Sequence, residues 1–256
     1  MPAARRTEAA TIMLTINADD FGRSRQETDA VLACYKAGRV TSTSAMVFME
    51  DSERAAGLVR QCGLEVGLHL NFSQEFTYNP RVIPRFAKAH RSIVRFLCSS
   101  KYALLFYHPL LRRQFRDAFD GQLKEFVRLY GKQPSHFDGH RHMHLCTNML
   151  LDRILPEGQK VRGSFSFSRG EKSALNRAYR HWVNRRLAAR HRLTDYFFAL
   201  SQNLQSDRFD RLLQLAATAD VEIMTHPTSE AEAALLMSDN YTRAIQSLRV
   251  GYATVL

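Results

Sequence analysis

Ile12-Met13-Leu14-Thr15-Ile16-Asn17-Ala18-Asp19-Asp20-Phe21-Gly22 is the stretch from which the architecture can be read outward. Its first five residues are apolar or β-branched, the pattern of a short buried strand. Two adjacent carboxylates follow at once, and charges beside an apolar strand are costly unless paired or metal-bound. A capping box at Ser24 and Glu27 then starts a helix over about 27–36, where Ala30, Val31, Cys34 and Tyr35 recur at helical spacing and Gly38 ends it. The β-branched run 40–47 reads as a second strand, 52–62 as a helix, and 63–70 as a third strand with His69 near its C-terminal end. Strand, helix, strand, helix, strand in this order signals an α/β chain with a parallel sheet and right-handed crossovers.

Beyond residue 70 the rhythm breaks. Phe, Tyr, Pro, Arg and Lys mix without a clear period near residues 72–109, which reads as an irregular insertion over one end of the sheet, a lid or substrate flap. Helical spacing returns over about 110–130 and stops at Gly131 and Pro134. A strand over 136–144, a helix over 147–155 and a short strand around Val161 are expected next. A basic helix over 172–192, anchored by Trp182, precedes a strand at 195–200 and a helix at 207–218. The last strand, 221–227, ends in a His226-Pro227 step that cannot continue as helix.

The chain has 256 residues, 45% apolar and 24% charged, an ordinary composition for a protein that buries a core. No repeat or linker divides it, so a single domain over 1–256 is expected, with about 1–11 as an N-terminal arm. The net charge of +11 is less ordinary, and much of it lies in 81–116 and 177–192. Such an excess can attract nucleic acid, anionic lipid or an anionic polymer, but says nothing about fold. The four cysteines form no C-x-x-C pair, which argues against a zinc ribbon or disulfide framework. Cys34 and Cys62 sit in apolar patterns and are expected in the core. No apolar stretch follows Arg5 and Arg6 as in a secretory signal, so a cytoplasmic location is the expectation.

His136-Phe137-Asp138-Gly139-His140-Arg141-His142-Met143-His144 holds four of the ten histidines. If it is extended, Asp138, His140, His142 and His144 share a face; if it has begun a helix, His140 and His144 still do. Convergent imidazoles bring metal chemistry or proton transfer to mind, and a polar His-rich loop is the plainer alternative. Asp19, Asp20, His69, this stretch and His226 all fall at the C-terminal end of a predicted parallel strand, the edge where α/β active sites assemble. A carboxylate and two imidazoles from that edge could hold one divalent ion with positions open for water and substrate, leaving an aspartate as base and His226 as proton donor.

Asn17-Ala18-Asp19-Asp20-Phe21-Gly22, Val40-Thr41-Ser42-Thr43, Gly67-Leu68-His69-Leu70, the Asp138–His144 run and Thr225-His226-Pro227 together resemble the YdjC-like carbohydrate deacetylases, which include chitooligosaccharide and hopanoid-associated deacetylases. The resemblance spans about residues 12–227. It implies a distorted, TIM-barrel-like (β/α) barrel that hydrolyses an N-acetyl group from an amino sugar with one divalent metal, commonly Mg²⁺, with Zn²⁺ or another transition ion as the alternative. By position, Asp20, His69 and His140 match the metal ligands, Asp19 the base and His226 the acid. Arg141 stands where the family often has a third consecutive histidine, and Gly139 where it often has Ser.

Asp138, His142, His144, Arg162 and Asp195 are candidates for touching substrate or supporting the ligands. The implied partner is an N-acetylated sugar, anionic or lipid-linked, with no specific nucleic acid; peripheral membrane association and a homo-oligomer stay open. The competing readings are another metal hydrolase, such as a phosphoesterase, on the same scaffold, and a basic polyanion-binding module.

Overall fold

In the computed structural model, which describes residues 12–60, 62–77, 84–167 and 170–252, a six-stranded parallel sheet curls into a half-barrel. Its strands are β1 (Leu14–Phe21), β2 (Ser42–Ala45), β3 (Glu65–Leu70), β4 (Phe137–Gly139), β5 (Tyr196–Ala199) and β6 (Val221–Thr225), in the order β4-β3-β2-β1-β6-β5. Parallel bridges from Phe137 to Val161 and from Lys160 to Arg192 carry the curl from β4 toward β5. The expected arm at about 1–11 lies outside the described residues.

Side-chain alternation along the strands sorts the residues into two layers. Leu14, Ile16 and Ala18 of β1, Val66, Leu68 and Leu70 of β3, and Val221 and Ile223 of β6 form one apolar layer with the flanking helices. Those helices include α1 (Arg25–Lys36), α2 (Ser52–Val59), α3 (Pro84–Leu97) and α4 (Arg112–Tyr130), which supply Val31, Ala55, Ile93 and Phe115. The opposite face is polar: Thr15, Asn17, Ser42, His136, Arg162 and Glu222 surround one small cavity inside the curl. This inward layer explains the Ser/Thr-rich β2. Ser42 donates to Asn17 Oδ1 (2.7 Å), Asn17 Nδ2 donates to Ser44 Oγ (2.8 Å), and Ser44 donates to Asp138 Oδ2 (2.7 Å).

Several boundaries depart from the sequence reading. β1 runs on through Asp19, Asp20 and Phe21, whereas β4 is only Phe137–Gly139. The stretch 72–109 is not irregular throughout, because α3 lies within it and packs on α4. Its period is hidden by a polar residue in the apolar stripe: His90, buried between Phe86 and Ile93, donates Nε2–H to the Asn71 carbonyl at 2.8 Å. Trp182 is no anchor, being 43% exposed; α6 (Ala174–Ala188) is held instead by Val183 and Leu187. After α5 (Thr147–Leu151) and α7 (Ser206–Ala216), the short helices α8 (Glu230–Leu236) and α9 (Asp239–Ile245) follow β6, beyond the last predicted strand. Cys34 is buried as expected, Cys62 only half-buried, and both are free. Among the described residues no helix is long and apolar enough to cross a membrane.

Gly67 shows how tightly the polar layer is filled. The ring of His136, from the start of the neighbouring strand, lies where a side chain at 67 would point, and a Cβ there would come within 2.4 Å of it. Gly67→Ala is expected to displace His136 and destabilise the protein by about 2 kcal/mol, a Tm fall of roughly 4–8 °C. Thermal unfolding with an unchanged midpoint would contradict this filling of the interior.

Candidate metal centre

Consecutive residues of a strand point to opposite faces, so Asp19 and Asp20 should diverge. They do not. The pairing of β1 with β2 slips between Ala18 and Phe21, and Asp20 takes a left-handed φ of 65°. The bulge re-aims Asp20 to the side that Asp19 already faces. Asp20 Oδ1 lies 2.8 Å from His140 Nδ1 and 3.3 Å from His69 Nε2, and Asp19 Oδ2 lies 3.9 Å from the same His69 nitrogen. One atom from each of Asp20, His69 and His140 falls within 4.8 Å of the others, from three separate parts of the chain.

His69 enters from β3, paired in register with Asp138 of β4, and its Nδ1 lies 2.8 Å from Asp138 Oδ1. With the Nδ1 proton donated to that carboxylate, Nε2 is left facing Asp19 and Asp20, the tautomer a metal-binding histidine needs. Burial opposes charging His69, but Asp138 and Asp19 outweigh it and raise its pKa to about 10 in the metal-free protein. Burial also works against the charge of Asp20, yet hydrogen bonds from His140 and His69 hold it below the usual carboxylate range. Its second oxygen accepts from half-exposed Arg23 at 3.0 Å.

Around this trio Arg162 organises the carboxylates. Its side chain is fully buried and donates to both oxygens of Asp19 (2.7 and 2.8 Å), while Nη1 lies 2.7 Å from Asp138 Oδ2 and Nε donates to Glu222 Oε1 at 2.6 Å. Burial would raise the Asp19 and Asp138 pKa values, but the guanidinium overrides it and both stay low, whereas Glu222 is left raised by its burial. A second possible ligand group, Asp19, His69 and Asp138, shares His69 with the first. Its two aspartates are already bonded to Arg162, so the groups are alternatives rather than two sites.

The trio fits a divalent cation chemically. Among the described residues, Asp19, Asp20 and Asp138 share two buried cations, Arg162 and His69, and uncompensated buried charge is costly. A further positive charge beside Asp20 would reduce that deficit, and a carboxylate with two imidazoles is a common donor set for it.

The remaining predicted residues separate. After Gly139 the chain turns into a 3₁₀ segment, with Arg141 and His142 left-handed (φ 52° and 57°), so the histidines do not share one face. His140 aims at Asp20. His144 turns against Gly139 and donates Nε2–H to the Arg162 carbonyl at 3.0 Å; a Cβ at 139 would meet its ring at 3.1 Å, so glycine in place of serine suits this inward turn. His142 lies against Phe165 and Phe197, with centroids 4.5 and 5.7 Å away. Burial lowers His142 to about 3 and His144 to about 4, leaving both neutral. Arg141 is exposed.

Arg162, a candidate for touching substrate, is fully enclosed and instead bonds Asp19, Asp138 and Glu222. Asp195 belongs elsewhere: it precedes β5 at the N-terminal end of the sheet and accepts from the Asp220 N–H at 3.0 Å. His226 follows β6 beside the end of β1, its ring 37% exposed. Its backbone N–H and the Thr225 hydroxyl both donate to Glu232 Oε2 at 2.8 Å, so buried Glu232 of α8 fixes the His-Pro turn. Glu222 and Glu232 escaped sequence reasoning. For Glu222 the signal was an acid inside the apolar strand Val221–Thr225; for Glu232, on a helix the pattern did not reach, there was none.

The YdjC-like protein family matches residues 13–250, nearly the whole described chain. The chain belongs to that family. A chitooligosaccharide deacetylase of Serratia marcescens is 34% identical to it over 136 residues, 52% of this chain and 51% of the relative. A carbohydrate deacetylase of Mus musculus is 30% identical over 142 residues, 52% and 43% of the two chains. A chitooligosaccharide deacetylase of Yersinia pestis (strain Pestoides F) is 28% identical over 225 residues, 84% and 81%. The chain thus spans about half the length of the first of these relatives. A solved structure of a proposed cellobiose-phosphate cleavage protein from Enterococcus faecalis V583 has the same fold, with a TM-score of 0.65, 19% identity and coverage of 94% and 97%.

In this YdjC-like chain, Arg162 is the guanidinium that Asp19, Asp138 and Glu222 share. Arg162→Met would strand Asp19, Asp138 and Glu222 without their cation. A loss of about 4 kcal/mol is expected, read from urea unfolding. A loss under about 1 kcal/mol, as for an exposed pair, would refute the assigned role.

Proposed function

We propose that this chain is a metal-dependent hydrolase that removes the acetyl group from an N-acetylated amino sugar. The observation that carries this reading is the convergence of Asp20 Oδ1, His69 Nε2 and His140 Nδ1 at the C-terminal edge of the sheet, beside an aspartate held ionised. The names of the relatives supply the substrate class. Two of the three donors are imidazoles, which favours Zn²⁺ or another first-row transition ion over the Mg²⁺ implied by family resemblance, since Mg²⁺ prefers oxygen ligands. Bound there, such an ion would polarise the acetamide carbonyl and acidify a water.

The protein's own groups then have distinct tasks. Asp138 orients His69 through Nδ1, and the bulge at β1 orients Asp20. Asp19 accepts a proton from the attacking water. The Arg162 fork fixes that carboxylate in place and also weakens it as a base, so its contribution is largely one of position. His226, half-exposed at the adjacent strand end and steadied by Glu232, gives a proton to the departing amine. Water adds to the carbonyl carbon, the C–N bond breaks, and acetate and a free amino sugar leave.

The test is acetate release from a panel of N-acetylated sugars, with chelator and then metal add-back. Release is expected to stop on chelation and return with metal. Asp19→Asn should keep the ion but lower kcat by roughly 10²–10⁴-fold, as removal of a general base does. No acetate from any sugar with metal present would reject the deacetylase reading; full activity of Asp19→Asn would reject the base.

A further inference from the structure

Between α3 and α4 the chain displays Tyr102, Leu105, Phe106, Tyr107 and Leu110 to solvent, with Phe106 64% and Leu110 80% exposed. Isolated exposed apolar residues need no explanation, but a run of large ones does. The segment is not loosely attached. The Thr147 hydroxyl donates to the Leu104 carbonyl (3.0 Å), the His108 N–H to Asn148 Oδ1 (2.9 Å), and Asn148 Nδ2 to the His108 carbonyl (3.0 Å). Its backbone is fixed to the start of α5, and Ala103 and Leu104 turn inward while the five large side chains remain outside.

The same bonds make this surface continuous with a basic one. Tyr107 donates to Asp152 Oδ1 at 3.0 Å, and the neighbouring Leu151 is also exposed. From there a groove of about 770 Å³ runs between α5 and α6, lined by exposed Trp182 with Arg153, Arg185, Arg186 and Arg190, against the single acid Glu157. On the other flank Arg112, Arg113 and Arg116 open α4, whose first turn holds no acid. Cations at a helix N-terminus oppose its dipole, so these arginines do not serve the helix. Arg112 is paired with Asp152, while Arg113 and Arg116 have no ion pair among the described residues.

We propose that this face docks onto an anionic lipid surface. Apolar side chains beside Lys and Arg are the arrangement that enters the headgroup region while the charges meet anionic lipid. Leu105, Leu110 and Leu151 offer nothing to the hydroxyls of a sugar, whereas hydrocarbon accepts them. A second copy of the chain is disfavoured by charge, because it would press the same arginines together between two chains of net charge +11. The docking needs no catalysis and stands apart from the hydrolase reading.

Co-sedimentation of the full chain with vesicles tests it, using phosphatidylcholine alone and phosphatidylcholine mixed with phosphatidylglycerol. The protein should pellet with the mixed vesicles, not with phosphatidylcholine alone, and less at high salt. Arg113→Ser with Arg116→Ser should weaken partition roughly thirtyfold without lowering Tm. Phe106→Glu with Leu110→Glu should abolish binding, also with Tm unchanged because both positions are exposed. No pelleting of the wild type with the anionic vesicles overturns the proposal. So does binding that the glutamate variant retains, which would mark a soluble-polyanion groove, or a wild-type dimer that this variant dissolves, which would mark a self-interface.

Discussion

Arg162 lies where water does not reach it and bonds carboxylates from three strands: Asp19 of β1, Asp138 of β4 and Glu222 of β6. A guanidinium taken out of water is costly unless its donors are met, and here every nitrogen has a carboxylate partner. The consequences reach outward from that point. Asp19 stays ionised, Asp138 is free to align His69, and strands that are not neighbours in the sheet are tied together across the inside of the curl. The apolar core is thereby left to the outer face, between strands and helices, and the inside of the curl is lined by polar side chains.

Backbone conformations that side chains adopt reluctantly cluster at that edge. Asp20, Arg141 and His142 all have left-handed φ, at the bulge of β1 and the turn after β4. Such conformations persist only where the surroundings determine them, and they gather at functional sites. Here they have a definite effect: the first brings Asp20 to the side of Asp19, and the other two separate His140 from His142 and His144.

Much of the architecture was legible because a parallel strand with one face on helices writes its apolar period plainly, as in β1, β3 and β6. The polar lining was harder to read. Ser42 and Ser44 write no apolar period into β2, and their partners, Asn17 and Asp138, are distant in sequence. α3 was lost for a similar reason, since His90 sits in its apolar stripe and is satisfied by a carbonyl of another element. Among site residues, strand-end position brought Asp19, Asp20, His69 and His140 together, while the same reasoning could not place Asp195 or find Glu232. The adjacent aspartates illustrate the limit: period-two alternation sets them on opposite faces, and only the slipped register brings them together.

Hydrolysis at this edge of the sheet requires the Asp20, His69 and His140 trio to hold an ion. Calorimetric titration of the metal-free full chain with Zn²⁺, repeated on Asp20→Ala and His140→Ala, tests this most directly. One ion per chain in the wild type, with binding lost or greatly weakened in both variants, is the predicted result. No stoichiometric binding to the wild type, or undiminished binding to both variants, would contradict it.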